Sequence, residues 1–101
     1  MSRIYVGQTA LYIEAKVHQN ITGATSLLIK YRKPDGTTGS FPAVSTDNTN
    51  GYLRYNVSSE DDVNLAGRWV FWGYVTFADG KSAAGEPKEQ WIYPEGQVAR
   101  N

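Results

Sequence analysis

From Ala66 to Gly80 the chain reads Ala66-Gly67-Arg68-Trp69-Val70-Phe71-Trp72-Gly73-Tyr74-Val75-Thr76-Phe77-Ala78-Asp79-Gly80, and no other stretch restricts the fold as much. Between Trp69 and Phe77 every residue but Gly73 is apolar, aromatic or threonine, and no proline interrupts the run. That is the composition of a β-strand. A helix is the poorer reading, because aromatic and β-branched residues dominate and Gly67, Gly73 and Gly80 punctuate the segment. Side chains alternate along a strand. Trp69, Phe71, Gly73, Val75 and Phe77 therefore share one face, and Val70, Trp72, Tyr74 and Thr76 the other. Both faces are apolar, which predicts a central strand. The Trp69 face is assigned to the core, and the face carrying Trp72 and Tyr74 is the first candidate contact surface.

The rest of the chain supplies partners for such a strand. Leu11, Ile13, Ala15 and Val17 alternate with Tyr12, Glu14 and Lys16, the pattern of a half-buried strand. A polar connection follows, with Ile21 placed to plug one end of a core. Residues 25–33 form the next strand, Leu27, Ile29 and Tyr31 inward and Leu28, Lys30 and Arg32 outward. Lys33-Pro34-Asp35-Gly36 closes it, since proline presets φ early in a turn and glycine accepts positive φ later. Residues 37–45 return as one looser strand that Pro42 confines to a sheet edge. Leu53, Tyr55 and Val57 mark one face of a further strand.

Ser58-Ser59-Glu60-Asp61-Asp62-Val63 reads as a capped helical turn. Leu65 is expected beneath it, and Gly67 releases the chain into the long strand. After the Asp79-Gly80 turn, residues 81–93 form the last strand. Gly85-Glu86-Pro87 interrupts it as a bulge or an edge. Residues 95–101 read as a polar tail. The expected core is Leu11, Ile13, Val17, Leu27, Ile29, Leu53, Val57, Leu65, Trp69, Phe71, Val75 and Trp91. About seven short strands with regular turn signals predict one all-β domain over residues 1–94, an immunoglobulin-like antiparallel β-sandwich. The acidic turn followed by Gly67-Arg68-Trp69 falls where such a fold crosses from its E to its F strand. Trp69 is placed to fill the space that a disulfide occupies in antibody domains.

Composition limits the functions open to the chain. Its 101 residues suffice for one core. Ten basic side chains offset ten acidic ones, so no electrostatic footprint for nucleic acid or an anionic membrane is expected. Cysteine is absent, which rules out a thiol nucleophile or a thiolate metal site and favours a reducing compartment. The N-terminus has no apolar signal region, no run approaches a membrane span of roughly 20 apolar residues, and the sequons at Asn20 and Asn56 are read as chance.

Candidate chemistry is sparse. His18 is the single histidine; it falls in a loop, and no Gly-x-Ser-x-Gly elbow accompanies it. Glu60-Asp61-Asp62 and Asp47-Asn48-Thr49-Asn50-Gly51 offer oxygens for calcium but not the spacing of a calcium loop, and both read as capped turns. No phosphate loop is present. These residues predict no enzyme, no cofactor, no metal, no nucleic acid and no membrane partner. What remains is an aromatic and cationic set, Trp72, Tyr74, Tyr12, Tyr52 and Arg32, of the kind that protein interfaces favour. These five are the expected protein-binding residues. Cross-strand pairing on a solvated face is the alternative.

Several segments resemble one family. Ile4-Tyr5-Val6-Gly7-Gln8-Thr9 is similar to the opening of small tailed-phage virion proteins. Thr22-Gly23-Ala24-Thr25 with Ile29-Lys30-Tyr31-Arg32-Lys33-Pro34-Asp35-Gly36-Thr37 resembles their strand and Lys-Pro-Asp-Gly-Thr turn. Leu65-Ala66-Gly67-Arg68-Trp69 with Tyr74-Val75 resembles their Gly-x-Trp strand, and Gly85-Glu86-Pro87 with Tyr93-Pro94 their closing strand. The resemblance is to immunoglobulin-like phage structural domains, including N-terminal domains of baseplate upper proteins. It implies a non-enzymatic structural or accessory virion protein (capsid decoration, neck, tail or baseplate), assembled in the host cytoplasm onto other virion proteins or as a homo-oligomer. A carbohydrate- or host-cell-surface-binding module, with a glycan stacked on exposed Trp and Tyr rings, is the alternative expectation.

Overall fold

The computed structural model describes residues 4–9, 11–59 and 62–94. Nine strands run through them: β1 (Ile4–Tyr5), β2 (Tyr12–Lys16), β3 (Ala24–Arg32), β4 (Thr38–Pro42), β5 (Val44–Asp47), β6 (Tyr52–Asn56), β7 (Gly67–Phe77), β8 (Ser82–Ala84) and β9 (Lys88–Tyr93). They form two sheets packed face to face, an immunoglobulin-like β-sandwich. The larger sheet has the order β1-β9-β7-β3-β4, with β8 also on β7; the smaller is β2-β6-β5. All pairings are antiparallel except β1 with β9. No described residue is helical.

The 11-residue β7 is the central strand, bonded to β3 on one side and to β8 and β9 on the other. Its inward face is the expected one. Trp69 and Val75 are fully buried and Phe71 nearly so. Trp69 solves the polar problem of a buried indole by donating Nε1–H to the Leu65 carbonyl at 2.8 Å. Gly73 sits at the centre of this face because the smaller sheet comes too close for a side chain. A β-carbon there would meet Val17 at 3.0 Å and Leu53 at 3.1 Å. Facing it, β2 buries Ile13 and Ala15, β3 Ile29 and β6 Leu53, with Val17 and Val57 beyond the strand ends. Ile21, 2% exposed, plugs the core as expected.

Residues 37–45 are two strands rather than one. β4 lies at the edge of the larger sheet and β5 in the smaller, and between them the Ala43 N–H donates to the Leu27 carbonyl at 3.0 Å. One lateral side of the sandwich is thus closed by a segment that changes sheets. Pro42 falls on the edge strand, as its missing donor requires. Part of the expected capped turn, Glu60-Asp61, lies outside the described residues, as do 95–101. In the described part, Asp62 does the capping: its Oδ2 accepts from the Ser58 and Ser59 N–H groups and from the Tyr55 hydroxyl, the last at 2.6 Å. Burial first, and then that carboxylate, raise the Tyr55 hydroxyl above the usual phenol range.

The last strand corrects one assignment. β8 pairs with β7 so that Ala84 faces Tyr74, whereas β9 pairs so that Ile92 faces Gly67. Carried straight through, the hairpin register would set Trp91 opposite Gly67 and inward. One extra residue at Gly85–Pro87 moves Ile92 there instead. A one-residue slip turns every side chain to the other face. Ile92 is fully buried, and Trp91, expected in the core, stands 52% exposed on the outer face. Leu11, Leu27 and Leu65 pack against the core without full burial, while Ala15, Phe41, Val63 and Ile92 complete it.

Candidate functional site

The five expected interface residues do not form one surface. Tyr12 and Tyr52 are on β2 and β6 of the smaller sheet; Arg32, Trp72 and Tyr74 are on β3 and β7 of the larger. Their side chains lie on the outer faces of opposite layers, with the core between them. Strand periodicity assigns a side chain to a face, but sheet membership is a long-range fact that local pattern does not carry.

On the smaller sheet each exposed ring is covered by a cation from the neighbouring strand. The Arg54 guanidinium lies 4.0 Å from the Tyr12 ring centre and ion-pairs Glu14 at 3.2 Å. The Lys16 amine lies 4.9 Å from the Tyr52 ring centre. Register sets both contacts: Glu14 is opposite Arg54 and Lys16 opposite Tyr52.

The outer face of the larger sheet is built differently. Alternation brings Val70, Trp72 and Tyr74 of β7 beside Leu28, Lys30 and Arg32 of β3, with Leu28 opposite Tyr74 and Arg32 opposite Val70. On the other flank β9 adds Trp91, opposite Arg68. The aromatic run continues through Tyr93, 6.4 Å from Trp91 between ring centres, to Tyr5, 6.1 Å further. Lys30 covers Tyr74 at 3.8 Å, so this ring resembles those of the opposite face. Trp72 and Trp91 have no such cation, and Arg32 has no ion-pair or hydrogen-bond partner among the described residues. Val70 was expected on this face; Trp91 and Arg68 are members that sequence reading left out. The signal for Trp91 was present in Gly85-Glu86-Pro87, whose bulge fixes its side.

A smaller recess of about 180 Å³ opens on the lateral side, between the edges of β2 and β9, over Ile13 and Phe71. Lys88, opposite Phe71 and so directed inward, guards it. An inward charge at a strand edge discourages pairing with a further strand. His18 is exposed in the bend after β2. Asp47, considered above for calcium, is engaged by Asn50, whose N–H and Nδ2 donate to it at 3.2 and 2.8 Å; those bonds hold its carboxyl below the usual range. Among the described residues, no three His, Cys, Asp or Glu side chains stand together as a metal centre.

No protein-family model matches the chain, and no curated protein matches it. Among solved structures it is similar to CopC from Methylosinus trichosporium OB3b, with a TM-score of 0.57 and 13% identity, over 98% of this chain and 91% of that one. At that identity the likeness shows a shared β-sandwich fold. It also corrects the virion assignment, because the likeness spans nearly the whole chain and leads to a protein of that organism rather than to a phage particle. The motifs behind that assignment are turn and strand chemistry open to any sandwich. In Lys33-Pro34-Asp35-Gly36-Thr37, Asp35 accepts from the Thr37 N–H at 2.9 Å and Gly36 takes a φ of 90°. Both features close a β3–β4 hairpin and identify no partner.

Proposed function

We propose that this domain is a non-enzymatic binding module that docks on another protein through the outer face of its larger sheet. The observation that carries the reading is the row Trp72, Val70, Trp91, Tyr93 and Tyr5 across adjacent strands, with Trp91 half-exposed and with Arg32, which has no partner among the described residues, on the same face. Tryptophan, tyrosine and arginine are the side chains that concentrate binding energy at protein interfaces. Rings already covered by their own cations, as on the smaller sheet, have less to gain from a partner.

The test is site-specific photo-crosslinking in cells that make the protein. Benzoylphenylalanine is placed at Trp91 or Trp72 in one set and at Tyr12 or Tyr52 in the other. A discrete adduct of protein mass from positions 91 and 72, and none from 12 and 52, is expected. Adducts from the smaller sheet alone, or no protein adduct from either face, would overturn the assignment.

A further inference from the structure

The outer face of the larger sheet ends, beside the β3–β4 turn, in a groove of about 370 Å³. Val70 floors it, Trp91 and Pro34 wall it, and Arg32, Arg68 and the stem of Lys33 rim it; no acidic side chain among the described residues lines it. Val70 is only 9% exposed although it points away from the core. The chain as a whole is neutral, with ten basic and ten acidic side chains. Of these ten basic side chains, Arg32 and Arg68 bring their charges to this one groove.

These cations differ in how far they are engaged. Lys33 donates to the Asn64 side chain at 2.9 Å, and its amine lies 5.6 Å from the centre of the buried Trp69 ring, on the core side and away from the groove. Arg68 pairs with Glu89 at 3.1 Å, but both side chains are more than 60% exposed. An incoming carboxylate can replace so solvated a pair with little loss. Arg32 has no partner among the described residues.

Register gives the spacing. Arg32 is opposite Val70, two residues from Arg68 on the adjacent strand. Such diagonal positions on one face are about 7–8 Å apart. Side chains at i and i+2 of an extended peptide stand about 6.6 Å apart on one face, close to that diagonal.

Resting on the reading of this face as a protein-docking surface, we infer that the groove receives an extended acidic segment of the partner. Carboxylates two residues apart meet Arg32 and Arg68, and an apolar side chain next on that face packs on Val70 and Trp91. A guanidinium binds carboxylate through a planar fork of donors, which favours this ligand class. Nucleic acid fits less well. Its phosphates need a continuous basic track, whereas Arg32 and Arg68 are the two cations turned to this groove and Glu89 stands opposite Val70 at its flank.

The probe is a fluorescein-labelled Glu-Ser-Glu-Ser-Leu-Ser peptide, followed by anisotropy and by tryptophan emission of the intact chain. Its Gln-Ser-Gln-Ser-Leu-Ser counterpart, inorganic phosphate and a single-stranded deoxythymidine oligonucleotide serve as comparisons. Saturable binding of the acidic peptide is expected, at least about tenfold tighter than its glutamine form and weakened by salt. Arg32→Gln and Arg68→Gln should each lose about tenfold, whereas Arg54→Gln, on the opposite face, should lose nothing. Thermal melts confirm that the variants fold. Equal binding of the glutamine peptide, tighter binding of the oligonucleotide or phosphate, or no binding of the acidic peptide would each overturn the proposal. A crosslink from position 72 or 91 that persists after such a result would leave the docking face standing and remove only its acidic ligand.

Discussion

The two outer faces of this sandwich carry similar residues and arrange them to opposite ends. Tyr12 and Tyr52 on the smaller sheet are exposed, yet Arg54 and Lys16 lie over their rings and Glu14 holds Arg54. Each ring already has the contacts a partner would offer. On the outer face of the larger sheet Lys30 covers Tyr74 in this way, but no cation among the described residues lies over Trp72 or Trp91. Trp91 meets another ring only at its edge with Tyr93, and Arg32 is unpaired among the described residues. An exposed aromatic residue is therefore a weak sign of a site. An exposed aromatic residue whose neighbours leave it unsatisfied, beside a cation that is also unsatisfied, is a stronger one.

The widest contrast to test lies between Trp69 on β7 and Trp91 on β9. Trp69 fills the core and packs on Tyr31 and Phe71, with ring centres 5.4 and 5.7 Å away. Trp69→Ala should destabilise the domain by about 3–5 kcal/mol. Trp91→Ala removes a surface side chain and should stay within about 0.5 kcal/mol of the parent. Urea unfolding of both variants measures the difference. Comparable losses would mean that Trp91 is held as firmly as the core, and the larger sheet would then have no exposed aromatic face.

That pair also shows where sequence pattern gives out. The face of β2 was legible because the strand alternates, Ile13, Ala15 and Val17 against Tyr12, Glu14 and Lys16, and that of β7 because Trp69, Phe71 and Val75 share one parity. In β9 both parities carry large apolar side chains, Trp91 and Tyr93 on one and Ile92 on the other, so alternation does not choose between them. The choice is made at Gly85–Pro87, where the chain gains one residue against β7. The grouping of Tyr12 and Tyr52 with Trp72 failed for a different reason: which sheet a strand joins depends on pairings between segments distant in sequence. Residues 37–45 illustrate the same limit, since one apparent strand serves both sheets on either side of Ala43.

A smaller effect probes the other face. Tyr12→Ala removes the ring beneath Arg54 and should cost about 0.5–1 kcal/mol, the range of a solvated cation–ring contact. Arg54→Gln should cost a similar amount, and the double variant less than the sum of the two, because both remove one contact. A double-mutant cycle by urea unfolding measures that coupling. Strict additivity would show that the contact contributes nothing and that the rings of the smaller sheet are as open to a partner as Trp91.

The smallest expected effect compares the acidic turns, one in each sheet. Asp35, in the β3–β4 turn, is stabilised as the carboxylate chiefly by the Thr37 N–H, and Asp47, at the end of β5, chiefly by the Asn50 side chain. Both carboxyls are held below the ordinary 3.8 when the chain is folded. A carboxyl whose folded value is depressed contributes stability that is present above its unfolded value and lost as pH falls through the folded one. Urea midpoints measured from about pH 5 to about pH 2 should therefore decline on the acid side. Asp35→Asn and Asp47→Asn should each flatten part of that decline. Asp35 is exposed and Asp47 half-exposed, so each contribution is small, but the locations differ. Asp35 lies between Pro34 and Gly36, which line the groove, whereas Asp47 ends β5 in the smaller sheet. Acidic-peptide affinity should consequently respond to Asp35→Asn, with tighter binding as one nearby negative charge is removed, and not to Asp47→Asn. A response to Asp47→Asn equal to that of Asp35→Asn would mean that the peptide senses the net charge of the chain rather than the groove, and the distinction between the two faces would lose its electrostatic half.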